Sequence, residues 1–247
     1  MQIAISIDDT DNMGSRGTGA LASLLAEEIE LRNWGTSRFV TRHQLLVHPD
    51  IPYTSHNSAM CFTAEIVPEH LQSIIDYAAG FLDRESATGS DPGLCVVPVD
   101  CLEQCADLIA FGRRAKEVVL SKEEAYELAC RSGIHLSEHG GTGQGVIGAL
   151  AGAGLRLSGN DGRLKGCLPV AVRNGRISVA ELRVHGDVDE VRSIDGTELA
   201  GDEQVRLGDK VKTVLLEGKA VLLIEPLACA ADGVAWQTCS KQRLKRY

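Results

Sequence analysis

Apolar and small residues alternate over Ile3-Ala4-Ile5-Ser6-Ile7 and stop at Asp8-Asp9-Thr10-Asp11. A short alternating run that ends in turn residues predicts a buried strand. A glycine-rich turn follows, Gly14-Ser15-Arg16-Gly17-Thr18-Gly19, and from Thr18 the pattern is helical until about Asn33-Trp34-Gly35. Strands are then expected over 37–46 and 58–66, with the stiff loop His48 to Asn57 between them, because Pro49 and Pro52 exclude regular structure there. Pro68 suits the first turn of a helix reaching Phe81, and the polar connection Asp83 to Gly93 leads to a strand at 94–99 and helical spacing from Cys101 to Arg113. After the apolar stop Val118-Val119-Leu120, Ser121 and Glu124 have capping-box spacing and open a helix from Lys122 to Arg131. The stretch 134–139 is a poor strand. Beyond Val170 the texture turns strand-rich, with strands expected at 176–184, 204–207, 210–216 and 220–224 and hairpin signals at Gly208-Asp209 and Glu217-Gly218.

This order predicts an α+β or α/β layered architecture in two domains, 1–120 and 121–247. Composition agrees with an ordinary globular protein: 44% of the 247 residues are hydrophobic and 24% charged. No apolar run has membrane-spanning length and no signal-like segment precedes the first strand, so a cytoplasmic address without membrane contact is expected. The net charge of −9 argues against broad electrostatic binding of nucleic acid, and the basic run 241–246 reads as a solvated tail. The eight cysteines sit in apolar stretches and are expected mostly to be small buried hydrophobes.

Candidate chemistry concentrates at the end of the first strand. Asp8, Asp9 and Asp11 repel one another there, a cluster that a divalent cation would relieve, and hard carboxylate oxygens suit Mg²⁺ bound together with a nucleotide's phosphates. Thr18 opens a helix whose first N–H groups are available to an anion. The alternative is that the three aspartates are turn formers and Thr18 a plain helix cap.

The wording Ile7-Asp8-Asp9-Thr10-Asp11, followed by a turn and a Gly-Thr helix start, resembles the N-terminus of the archaeal isoleucine-tRNA agmatinylcytidine synthetases. The segment His48-Pro49-Asp50-Ile51-Pro52-Tyr53 resembles that family's Asn-Pro-x-Ile-Pro-Trp, and Asp91-Pro92-Gly93 resembles its Asn-Pro-Gly. The helix start at 143–151 is similar to its Gly-Leu-Ile-Gly-Ala-Leu-Ala-Ala, and the matches keep the family's order to about residue 155. The resemblance implies a kinase-like domain followed by a ferredoxin-like, strand-rich one. It also implies an ATP- and Mg²⁺-dependent synthetase or phosphotransferase that phosphorylates an oxygen of its substrate for attack by an amine. Asp8, Asp9 and Asp11 would then hold the metal, and Thr18 would sit at the γ-phosphate. Thr10, Arg16, Gly17, Gly19, Gly143 and Gly145 would contact phosphate, and Tyr53, His56 and Asn57 the substrate. The family's OB-fold and zinc ribbon are expected to be missing, since no Cys-x2-Cys pair occurs, and its Lys-Thr-Arg-Gly-Asn-Gly is replaced by 54–58. Phosphate charge would then fall to Arg16, Arg42, His56 or the metal. ATP and a small or amine substrate are the expected partners, with tRNA and a homodimer left open. A non-catalytic nucleotide-binding module, or a catalytic subunit with a separate RNA-binding partner, are the rival readings.

Two further patterns carry less. Gly143, Gly145 and Gly148 have G-x-G-x-x-G spacing, but no convincing strand precedes them, so a dinucleotide site is rejected in favour of close approach by a helix. Cys101, Cys105, His135 and His139 have ligand types that suit zinc, but lack knuckle spacing, and core or loop roles are expected instead.

Overall fold

The computed structural model describes residues 1–51, 57–101, 105–170, 172, 175–231 and 234–247. The chain forms an α+β fold in two compact units, Met1–Ser158 and Gly159–Tyr247. The division therefore falls well beyond Leu120. Its physical reason is that Ala125, Leu128, Ala129, Ala149, Leu150 and Ala153 share one core with the first strands.

In the first unit the strands are β1 (Gln2–Asp8), β2 (Gly35–Ser37), β3 (Thr41–Gln44), β4 (Ser58–Ile66), β5 (Gly93–Pro98) and β6 (His135–Glu138). The helices are α1 (Thr18–Leu31), α2 (Leu71–Glu85), α3 (Cys105–Arg114), α4 (Lys122–Arg131) and α5 (Gly145–Leu157). The sheet runs β6-β5-β1-β4-β3, with β2 also on β4, and its pairings are antiparallel. β1 is central because it carries no charge until its last residue.

The period of two along β1 sorts the layers. Ile3, Ile5 and Ile7 pack on one face with Leu21, Leu25 and Ile29 of α1 and with Ile74, Phe81 and Leu82 of α2. Ala4 lies on the other face in the core built from α3, α4 and α5, and Ser6 and Asp8 continue that row. The expected strand over 37–46 is two strands. Ser37 faces Ala64 and Thr41 faces Cys61, so four steps along β2–β3 answer three along β4 and one residue bulges out. The poor strand at 134–139 does form β6: one apolar side chain, Leu136, is enough at a sheet edge, where pairing with β5 supplies the backbone partners.

The second unit contains β7 (Arg163–Leu164), β8 (Arg176–Ser178), α6 (Val179–Arg183), β9 (Glu190–Ser193), β10 (Gln204–Arg206), β11 (Val214–Leu216), β12 (Lys219–Ala231) and β13 (Val234–Thr238). The strand order is β7-β11-β12-β13-β10-β8, with β9 parallel to β12. The strand expected over 176–184 turns into α6 after three residues. Ser178 caps it, accepting from Glu181 N–H at 3.2 Å, and the Glu181 carboxylate accepts from Ser178 N–H at 3.0 Å. Glu217-Gly218 closes the β11–β12 hairpin with positive φ at both residues, whereas Gly208-Asp209 closes none, because β10 pairs with β8 and β13. The four charges of the basic end, Lys241, Arg243, Lys245 and Arg246, are exposed as expected, while Leu244 between them is buried and Arg243 meets Glu225 at 3.4 Å.

Burial of cysteine is narrower than the sequence suggests. Cys61, Cys95 and Cys239 are buried, Cys101, Cys130 and Cys167 are exposed, and Cys105 is intermediate; the Cys229 side chain lies outside the described residues. Among the described residues no helix is long and apolar enough to cross a membrane.

Candidate functional site

Helix α5 contacts the sheet through a row of glycines. A Cβ on Gly152 would lie 2.6 Å from Ser6 Oγ and 2.7 Å from Ala59 Cβ, and one on Gly148 only 1.7 Å from Asp8 Oδ2. At Gly145 the obstacles are backbone, the Asp91 carbonyl at 2.0 Å and Gly93 N at 2.8 Å. The glycine spacing thus serves close packing of a helix start on the end of β1, where the small even-numbered residues leave room. Gly143 belongs to a different contact, facing the Glu138 carboxylate.

The acidic loop leaves β1 at Asp8, which is buried, and turns through Asp9 at φ 49°, a left-handed conformation that Asp tolerates better than most residues. Burial first, then the charges of Asp9 and Asp11, push the Asp8 carboxyl up to about 8. Asp9 is pushed up to about 6 by burial and by Asp91 and Asp11. Asp91 was not legible as part of this cluster; it arrives from the loop before β5, where its carboxylate accepts from the backbone N–H and, at 2.5 Å, the hydroxyl of Thr142.

A cleft of about 280 Å³ opens over this loop. Asp8, Asp9, Asp11, Gly17, Thr18, Gly19, Arg42, Asn57 and Gly145 all line it, so most of the sequence candidates converge. Thr18 is the first residue of α1 and not its cap. Its hydroxyl accepts from Thr10 Oγ1 at 3.1 Å, and both threonines are buried. Arg16 is turned elsewhere, into an ion pair with Glu85, and neither it nor Gly143 is among the lining residues. Arg42 supplies the guanidinium in the cleft, with Nε donating to Ser58 Oγ at 3.0 Å. Asn57 is fixed by its Nδ2 donating to the Leu46 carbonyl at 2.6 Å. Tyr53 and His56 lie outside the described residues.

The two helix starts at the cleft differ in what they offer an anion. At α5 the Gly145, Val146 and Ile147 N–H groups already donate to Asp91, Gly143 and Gln144 carbonyls. At α1 the first internal bonds come from Ala20 and Leu21 to Gly17, and the Thr18 and Gly19 N–H groups have no partner among the described residues. Free amides at the positive end of a 14-residue helix make an anion seat.

Crowded carboxylates at Asp8, Asp9 and Asp11 have the donor chemistry of a hard divalent cation, which would offset the burial and repulsion that raise Asp8 and Asp9. Among the described residues no three His, Cys, Asp or Glu side chains form a ready-made ligand group. A cation of the Mg²⁺ type, completed by water and phosphate oxygens, asks for one or two carboxylates only. For the zinc candidates, His135 and His139 both bond to Ser137 Oγ, at 3.0 and 2.8 Å, and His139 Nδ1 meets Asp83 at 2.9 Å.

No protein-family model matches the chain, and no curated protein matches it. Among solved structures it is similar to apo TiaS, an agmatidine synthetase acting on an isoleucine tRNA, at 28% identity and a TM-score of 0.54, over 62% of this chain and 35% of that one. It is similar to the complex of TiaS with that tRNA and ATP at 28% identity and a TM-score of 0.55, over 62% and 36%. For the complex of TiaS with the tRNA, AMPCPP and agmatine the identity is 22% and the TM-score 0.53, over 80% and 49%, a likeness of fold. The chain spans about a third to about half of the length of these solved proteins, and over that length it has a TiaS-like fold.

Proposed function

We propose that this chain is an ATP- and Mg²⁺-dependent enzyme of the tRNA-modifying synthetase kind, which phosphorylates an oxygen of its acceptor so that an amine can displace the phosphate. One observation carries the reading: the cleft joins the Asp8-Asp9-Asp11 loop, the free amides of Thr18 and Gly19 and the Arg42 guanidinium. Phosphoryl transfer asks a protein mainly for positioning and charge neutralisation, and these groups offer both.

In this reading the Thr18 and Gly19 N–H groups bind the terminal phosphate oxygens, and Thr10 orients the Thr18 hydroxyl toward the same group. Asp8, Asp9 and Asp11 would hold Mg²⁺, whose contribution when bound is to neutralise phosphate charge. Arg42 takes up charge on the transferred group from inside the cleft. Asn57, held by the backbone of Leu46, and the loop that carries Tyr53 and His56 would meet the acceptor. The kinase-like and ferredoxin-like domain names extend from the sequence resemblance, and agmatine and tRNA as substrates from the TiaS neighbours, which were solved with ATP, AMPCPP, agmatine and an isoleucine tRNA.

The test is Mg²⁺-dependent ATP binding and hydrolysis by the wild type and Asp9→Ala, with the phosphorus products identified. Wild-type binding and turnover, with turnover lost by about a hundredfold or more in the variant, are expected. Binding without turnover under any acceptor would favour the non-catalytic module. Absence of binding in the wild type would return the acidic loop to turn chemistry.

A further inference from the structure

Part of the cleft lining has no role in phosphate chemistry. Leu45, Ile51, Ala115, Val118, Val119 and Leu120 give it an apolar wall. The Leu46 N–H donates to the Ala115 carbonyl at 3.0 Å, which joins the end of β3 to the segment after α3. Within that segment Val118 N–H donates to the Arg114 carbonyl at 2.9 Å, and Ser121 N–H is taken by Glu124 at 3.0 Å. Between them, the N–H and C=O groups of Val119 and Leu120 have no hydrogen-bond partner among the described residues. Leu120 is only 7% exposed.

Val119 is 46% exposed and lines the cleft with Leu120, so these unpaired peptide groups are open to a ligand there and, beside the apolar wall, offer it a recognition edge. A peptide edge presents one donor and one acceptor. Adenine presents the complement on its Watson–Crick edge, an acceptor at N1 and a donor at the N6 amine, and its faces are apolar enough to lie on aliphatic side chains.

We infer that the Val119–Leu120 backbone reads the adenine edge, while Leu45, Val118 and Val119 hold the ring faces. The inference rests on the reading of the cleft as a nucleoside triphosphate site and adds the source of its base preference. Guanine carries a further amine at N2, and the aliphatic wall gives that group no acceptor. A site built on hydrogen bonds also discriminates against a base that lacks a required group, because the peptide edge is then left unpaired.

The experiment is calorimetric binding of Mg²⁺ with ATP, purine riboside triphosphate, GTP or inorganic tripolyphosphate to the full chain. Tripolyphosphate is expected to bind, and ATP to bind about tenfold or more tighter than either other nucleotide. Val119→Pro removes an N–H donor from which adenine N1 can accept and guanine N1–H cannot, so it is expected to weaken ATP and purine riboside triphosphate alike and to narrow the preference for ATP over GTP severalfold, whereas Val119→Ala keeps that preference. Equal affinity of the wild type for the three nucleotides would overturn the inference and leave the phosphate site standing, and so would an unchanged preference in a folded Val119→Pro. Failure of all four probes to bind, tripolyphosphate included, would remove the triphosphate reading along with it. The wild-type comparison decides the matter even where Val119→Pro does not fold.

Discussion

The two faces of β1 are built from alternate residues of one seven-residue strand and do opposite work. Ile3, Ile5 and Ile7 are bulky, at most 1% exposed, and anchor α1 and α2. Ala4, Ser6 and Asp8 are small or polar, and they let α5 come within reach of the backbone through Gly145, Gly148 and Gly152. The first face concentrates dispersion and apolar burial. The second gives up volume so that a carboxylate can be held under a helix start at the mouth of a cleft.

The largest way to break this contrast is to titrate the end of the second face. Asp8 has an ordinary carboxyl value of 3.8 when unfolded and about 8 when folded without metal. Between those values the folded state holds a proton that the unfolded state does not, so metal-free stability is greatest below about 4 and falls as pH rises towards 8. The slope is up to about 1.4 kcal/mol per pH unit. Asp9, raised to about 6, adds to the same fall over the lower part of the range. Thermal melts across this window should show the decline without divalent cation, lose most of it with Mg²⁺, and lose the Asp8 share of it in Asp8→Asn. A metal-free protein whose melting point is flat from pH 4 to 8 would contradict the burial of that charge.

Next in size is the bulky face. Ile5→Ala removes a side chain that is 1% exposed and should lower unfolding free energy by about 2–5 kcal/mol in denaturant titrations, while nucleotide binding below the melting transition is retained. Gly148→Ala should do the reverse. Its Cβ would stand 1.7 Å from Asp8 Oδ2, at the movable end of a side chain, so the stability cost is smaller, about 1–3 kcal/mol. Moving that carboxylate should weaken Mg²⁺-ATP binding by about tenfold or more, an effect Ile5→Ala lacks. If the two variants lose binding and stability in the same proportion, the division of labour between the faces is wrong.

What could be read in advance follows from the range of the interactions involved. β1, the acidic loop, the start of α1, β4, β5 and the capped α4 announce themselves within a few residues, by alternation, turn chemistry or a capping box. The elements and contacts that escaped depend on partners far along the chain. β6 has one apolar residue and exists through β5; Asp91 reaches the acidic cluster across the fold and is tied to Thr142. Arg16 looked like a phosphate ligand by position, but Glu85, distant in sequence, captures it. The glycines of α5 carried a visible spacing whose meaning lay in what they approach, β1 and the Asp91 carbonyl, and no local pattern states that.

One miss was local, and it sets the smallest test. Ser178 and Glu181 have the same spacing as Ser121 and Glu124, yet the β-branched residues around Ser178 favoured a strand in the sequence. In the structure both pairs close reciprocally, with Glu124 N–H to Ser121 Oγ at 3.3 Å and Glu181 N–H to Ser178 Oγ at 3.2 Å. Ala at either serine should cost about 1 kcal/mol, because one helix-end N–H loses its acceptor. The consequences should differ. α4 has ten residues, with Ala125, Leu128 and Ala129 buried, and can keep its later turns when the first one frays. α6 has five residues, so its cap governs the whole helix, and Val179 and Leu182 leave the core if it unwinds. Hydrogen exchange should therefore show Ser121→Ala speeding exchange only in the first turn of α4, and Ser178→Ala speeding it through all of 179–183. Uniform protection of α6 in Ser178→Ala would mean that burial of Val179 and Leu182, and not the cap, turns β8 into a helix.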